Sequence, residues 1–177
     1  MKILVAYGTT EGQTRKIARF VADRLVDAGH AVELLDLGDA GELDLSRFGA
    51  AVLAGSIHGG RYQDDLAEFA RPRAEALSAR PTLFLSVSLS AAGHDAEEWE
   101  GIRRIADEFA EQTGWRPDRV EHVAGAFRFG EYDYFKGWMM RRIARERGET
   151  VDPEGDTEYT DWAALGAAVD DWSAGLS

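Results

Sequence analysis

Apolar and polar positions follow two rhythms along this chain. Short, nearly unbroken apolar runs predict strands over residues 2–7, 31–37, 50–56 and 81–89. A fifth strand is predicted within 119–129, centred on Val123-Ala124-Gly125-Ala126. Between these runs the spacing turns helical. Ile17, Phe20, Val21 and Leu25 share one face of a helix predicted over 14–28 and closed by Gly29. Further helices are predicted over 63–78, where Pro72 should kink or shorten the element, over 96–113 and over 161–172. Residues 38–48 read as a polar connection with room for a helical turn, and 57–62 and 90–95 as loops.

Regular alternation of strand and helix predicts an α/β fold with a parallel sheet covered by helices on both faces. The run Ala50-Ala51-Val52-Leu53-Ala54-Gly55-Ser56 is small and apolar throughout, as expected of a central strand buried on both faces. The expected architecture is one domain over 1–177, a doubly wound five-stranded parallel sheet of order 2-1-3-4-5. An extra segment, about 130–159, separates the fifth strand from the last helix. Its first half, 134–147, is amphipathic, with Phe135, Trp138, Met139 and Ile143 on one face and Lys136, Arg141, Arg142, Arg145 and Arg147 around it. Such a helix can rest peripherally on an anionic membrane or pack its apolar face on the sheet edge. Its second half, 149–158, is acidic, contains Pro153 and Gly155, and reads as loop.

Composition narrows the chemistry. The chain has no cysteine, which excludes disulfides, thiolate ligands, iron–sulfur clusters and cysteine nucleophiles, so redox chemistry would need a bound cofactor. The net charge of −12 argues against nucleic-acid binding. No leader pattern and no bilayer-length apolar run is apparent, which predicts a cytoplasmic protein, with peripheral contact at the inner face of the cell membrane as an option. Trp99, Trp115, Trp162 and Trp172 read as packing residues.

In a doubly wound sheet, ligands bind beyond the carboxyl ends of the strands where the strand order reverses. That rule brings three loops together. The first, Gly8-Thr9-Thr10-Glu11-Gly12-Gln13-Thr14, runs from a strand straight into a helix. Backbone N–H groups, the helix dipole and the side chains of Thr9, Thr10, Gln13 and Thr14 suit a phosphate, with Gly12 in the turn and Glu11 expected to point outward. The loop has no lysine and is not a P-loop. The second, Ile57-His58-Gly59-Gly60-Arg61-Tyr62, follows Ser56 and has paired glycines that allow positive φ and close backbone approach to a flat ring, with Tyr62 as a stacking face. The third offers Ser88, Leu89, Ser90 and Gly93 to the polar edge of a ring; His94 reads as an exposed loop histidine. No side chain is assigned a catalytic role, and no metal site is expected.

The strand–Gly-Thr-Thr-Glu-Gly-Gln-Thr–helix unit resembles the FMN-phosphate signature of flavodoxins. With Gly55-Ser56-Ile57-His58-Gly59-Gly60-Arg61-Tyr62, Trp115-Arg116-Pro117-Asp118-Arg119, Ala124-Gly125-Ala126-Phe127-Arg128-Phe129 and Tyr159-Thr160-Asp161-Trp162, the chain is similar to the quinone-dependent protoporphyrinogen IX dehydrogenases of haem biosynthesis. The resemblance implies a flavodoxin-like fold, non-covalent FMN, a porphyrinogen donor that loses electrons in pairs, and a respiratory quinone as acceptor. Where that family carries a basic segment after strand four, this chain carries Asp95, Glu97, Glu98 and Glu100. Two other readings stay open: an electron-carrier flavodoxin without a small-molecule substrate, and a flavin-free regulatory domain.

Overall fold

The structure, a computed structural model, describes residues 1–127 and 157–177. Five parallel strands, β1 (Lys2–Tyr7), β2 (Ala31–Asp36), β3 (Ala50–Ser56), β4 (Thr82–Ser88) and β5 (Arg119–Ala124), form one sheet in the order β2-β1-β3-β4-β5. The expected strand order is therefore observed. The chain reverses its winding direction between β1 and β3, which pair directly, Val5 opposite Val52.

Alternate side chains of each strand feed two cores, as the two-residue period of a strand requires. Ile3, Val5 and Val52 pack beneath α1 (Gln13–Asp27), together with Ile17, Val21 and Leu25. Leu4, Ala6 and Leu53 face the opposite layer, with Leu66, Phe84, Phe109 and Trp115. Every residue of β3 and β4 is buried, which is why their sequences are small and apolar throughout.

Pro72 has the expected effect. The helical stretch breaks into α2 (Asp64–Ala70), a 3₁₀ turn at Arg71–Arg73 that contains the proline, and α3 (Ala74–Ser78). The connection 38–48 holds two 3₁₀ turns, Leu37–Asp39 and Leu45–Arg47. The long helix α4 (Ala96–Thr113) matches its expected span. Asp95 caps its start by accepting from Glu98 N–H at 2.9 Å, and Gly114 ends it at φ 77°.

The main departure follows β5. After Gly125 the chain forms a two-residue strand β6 (Ala126–Phe127), antiparallel to β7 (Thr157–Glu158), and then enters α5 (Trp162–Ala174). Residues 157–158 were expected to be loop. They are instead held by a ladder whose two sides are about thirty positions apart in sequence, a pairing that local patterning does not reveal. The amphipathic stretch 134–147 and the rest of the acidic half of the extra segment lie outside the described residues. Among the described residues, no helix is long and apolar enough to cross a membrane.

Candidate cofactor site

Three loops and one helix face enclose a cavity of about 460 Å³ beyond the carboxyl ends of β1, β3, β4 and β5. That size lies within the usual range for a cofactor pocket.

The first loop is shaped by its own hydrogen bonds. Gly8 N–H donates to Ala54 C=O at 2.9 Å and ties the loop to β3. Thr9 Oγ1 accepts from Gly12 N–H at 2.9 Å, and Gly12 takes φ 92°, a left-handed conformation that favours glycine. The chain turns there into α1, whose first turn has no side-chain cap and no acidic residue. Its leading N–H groups therefore have no capping side chain, and Gln13 and Thr14 at its start line the cavity. Thr9, Glu11, Gln13 and Thr14 line this side.

Three residues of this loop differ from expectation. Glu11 does not point outward. Its side chain is only 13% exposed, lines the cavity, and has Oε1 3.8 Å from His58 Nδ1 on the second loop. Gln13 lines the cavity, but its amide is committed elsewhere: Nε2 donates to Glu158 Oε2 at 3.2 Å and to Thr160 Oγ1 at 3.0 Å. It is not a free side-chain donor for a phosphate. Thr10 faces a shallower cleft beside the cavity, and its hydroxyl accepts from Gln63 Nε2 at 3.0 Å. Gly12 contributes the turn rather than a cavity wall.

The second loop is a tight turn. His58 and Arg61 exchange backbone hydrogen bonds of 2.9 and 3.3 Å around Gly59 and Gly60, at φ 58° and 80°. Positive φ at both central positions is the requirement of a type I′ turn, so the glycine pair is needed here. Nothing crowds the position a Cβ would take on either glycine, and both backbones line the cavity with Ser56, Ile57 and His58. Gln63 braces the turn: its Oε1 accepts from Ser56 N–H at 3.0 Å, and its Nε2 donates to Ser56 Oγ at 2.5 Å as well as to Thr10. His58 Nε2 lies 3.1 Å from the same serine hydroxyl.

Tyr62 is not a stacking face. It is 7% exposed and belongs to the core, with edge-on contacts to Phe84 and Phe109 at centroid distances of 5.2 and 5.1 Å. Its hydroxyl is hydrogen-bonded to Ser86 Oγ at 2.7 Å. Burial pushes its phenol up to about 12, against a partly opposing contribution from the serine. Gly93 also lies off the cavity; its carbonyl accepts from Trp99 Nε1 at 2.8 Å. Ser88, Leu89 and Ser90 do reach the cavity, and Ser88 Oγ accepts from Ala91 N–H at 3.2 Å.

The wall not anticipated from sequence is α4, which contributes Glu98, Gly101, Ile102 and Ile105, while Gly125 and Ala126 close the floor beyond β5. With Ile57 and Leu89, the two isoleucines give the cavity its aliphatic sides. One signal was present in the sequence: a glycine in mid-helix, unfavourable for the helix itself, marks a place where a side chain would intrude. The acidic segment after β4 also has a local cause. Glu97 and Glu98 occupy the first turn of α4, where negative charge is favoured by the helix dipole. His94 is exposed and lies in a second cleft, with His122 and Asp161.

Comparison with known proteins follows the same outline. A family model described as "Flavodoxin domain" matches residues 4–154. A protein of Escherichia coli K12 named protoporphyrinogen IX dehydrogenase [quinone] is 30% identical over 92% of this chain and 89% of its own length. A Leishmania major protein of the same name is 28% identical over 98% of this chain and 75% of its own. Among solved structures, oxidised flavodoxin 1 from Bacillus cereus superposes with a TM-score of 0.61 at 14% identity, covering 100% of both chains, a likeness of fold.

Proposed function

This chain belongs to the flavodoxin-domain family, and from that premise we propose that it is an FMN-dependent oxidoreductase that oxidises protoporphyrinogen IX to protoporphyrin IX with a respiratory quinone as acceptor. The observation that carries the cofactor is the cavity at the β1/β3 reversal, where an uncapped helix start meets a type I′ glycine turn and aliphatic walls. The substrate and acceptor rest on the named relatives, whose similarity spans nearly the whole chain.

The donor set fits the cofactor. The first turn of α1, with the hydroxyls of Thr9 and Thr14, would hold the phosphate. Ile57, Leu89, Ile102 and Ile105 would hold the apolar body of the ring and exclude water from it. Gly59, Gly60 and the 88–90 loop would present backbone groups to its polar edge. When bound, the flavin supplies the two-electron chemistry; the protein binds it, orients it and tunes its surroundings. Glu11 and His58 face one another across the first two loops, Oε1 to Nδ1 at 3.8 Å, at the mouth of the same cavity.

A second reading, a flavodoxin-type electron carrier, is favoured by the acidity of the whole chain, since a −12 surface suits docking to basic redox partners. One experiment separates the two. FMN-loaded protein is mixed anaerobically with protoporphyrinogen IX and a soluble quinone, and porphyrin fluorescence is followed. Quinone-dependent porphyrin formation is expected. Protein that holds FMN, shows no such turnover and is reduced by a flavodoxin reductase would establish the carrier instead. We place the protein in the cytoplasm.

A further inference from the structure

The cofactor reading leaves one side-chain network unused. Glu158, on β7, receives hydrogen bonds from three side chains. Lys16 Nζ and Gln13 Nε2 reach Oε2 at 2.5 and 3.2 Å, and Trp162 Nε1 reaches Oε1 at 2.7 Å. Gln13 and Lys16 both stand on the uncapped first turn of α1, the turn whose Gln13 and Thr14 line the cavity. Gln13 also donates to Thr160 Oγ1, which in turn donates to Ala124 C=O at 2.6 Å at the end of β5. Lys16 and Phe20 then cover the Trp162 ring at 5.4 and 5.0 Å. The start of α1 is thus fastened to the chain that returns from residues 128–156, more than 140 positions away.

Glu158 and Lys16 stand at the surface, but the amide that joins them to the cavity side is buried. Gln13 is almost fully buried, so its amide needs these two acceptors. Burial raises the Glu158 carboxyl, but hydrogen bonds from Lys16, Trp162 and Gln13 together outweigh it and hold its pKa below the ordinary value. A carboxylate beside a phosphate site would ordinarily oppose the ligand. Here its oxygens are occupied by donors from α1 and α5, and its charge is matched by Lys16.

We infer that Glu158 is a positioning residue for the phosphate end of the flavin site: it fixes the orientation of the first turn of α1 and thereby sets the preference for a phosphorylated flavin. The inference rests on the FMN reading above. It assigns Glu158 no contact with the flavin. Gln13 transmits the constraint, and Lys16 balances the charge.

The test is the affinity of purified apoprotein for FMN and for riboflavin, which lacks the phosphate, measured by quenching of flavin fluorescence. The variants are Glu158→Gln, Gln13→Ala and the charge-balanced double variant Lys16→Met with Glu158→Gln. Wild type is expected to prefer FMN. Glu158→Gln and Gln13→Ala should each weaken FMN by about tenfold and leave riboflavin unchanged within about twofold, and the double variant should do the same. If FMN and riboflavin weaken together, Glu158 holds the fold as a whole and the inference is overturned. If Glu158→Gln strengthens FMN and the double variant restores wild-type affinity, Glu158 acts only as an opposing charge, which overturns it equally. Wild type that prefers FMN, with variants indistinguishable from it, overturns the inference alone. Wild type that binds neither flavin overturns the cofactor reading and this inference with it.

Discussion

Tyr62 offers a sharp test of how the wall of the site is supported. Its hydroxyl lies 2.7 Å from Ser86 Oγ, and both residues are buried. Tyr62→Phe keeps the ring contacts with Phe84 and Phe109 and opens no cavity, so the loss is confined to one hydrogen bond. The serine hydroxyl is then left buried without that partner, at a cost of about 1–3 kcal/mol. Ser86→Ala leaves the phenol in the same position, with a loss of similar size. Removing both hydroxyls strands neither, so the double variant should lose about 1 kcal/mol less than the sum of the singles. In a chain of this length, each kcal/mol moves the thermal midpoint by about 2–4 °C, which gives single-variant shifts of about 5 °C. Thermal unfolding of the apoprotein by circular dichroism reads both numbers. Strictly additive losses, or no loss in either single variant, would refute the reasoning. A pH series adds an independent check. The folded-state pKa of Tyr62 is raised to about 12 from 10.0, so the stability it contributes is complete below pH 10 and is lost as pH rises toward 12. Two pH units correspond to about 3 kcal/mol at most, and Tyr62→Phe should lack this alkaline loss.

Other outcomes follow from the same geometry. A Cβ on Gly55 would stand 2.6 Å from Leu66 Cδ2 in the buried layer between β3 and α2, so Gly55→Ala should cost about 1–3 kcal/mol in urea unfolding. Gly101 faces open space in the cavity wall. Gly101→Ala should stabilise α4 by about 0.5–1 kcal/mol, whereas Gly101→Leu should fold normally and lose flavin binding by fluorescence titration. Gln63→Ala removes the brace shared by Thr10 and Ser56, and should lower stability by about 1–2 kcal/mol and weaken FMN by about threefold to tenfold. Asp161→Ala removes the cap of α5, whose side chain accepts from Ala164 N–H at 3.0 Å, with a loss of about 1 kcal/mol by the same unfolding assay.

The features that were legible in the sequence are those set by neighbours along the chain. Full burial of β3 was visible in its run of small apolar residues, the break at Pro72 in the missing N–H, and the left-handed pair in Gly59-Gly60. Each follows from residues within a few positions. What stayed hidden depends on partners brought together by the fold. Tyr62 sits at a loop end and looks available, but its surroundings come from β4 and α4, 22 and 47 positions on, as Phe84 and Phe109. Gln13 looks like a phosphate donor until Glu158 and Thr160 arrive from the far end of the chain. Glu11 was expected to avoid a phosphate pocket, yet a histidine on another loop gives it a reason to face inward. The α4 wall was missed because the strand-end rule points to loops, and here a helix flank completes the enclosure.

The short ladder between β6 and β7 has a consequence for how such a protein can diversify. It sets residue 127 beside residue 157, so both ends of the intervening stretch are pinned at the rim of the sheet. The ladder thereby fixes where the chain leaves the scaffold and where it rejoins it. For a flexible stretch, doubling its length would add only about 0.6 kcal/mol of closure entropy. The ladder thus acts as a seam: it sets the two points, side by side, between which any connecting chain must run, and holds them in place next to the strand order beneath.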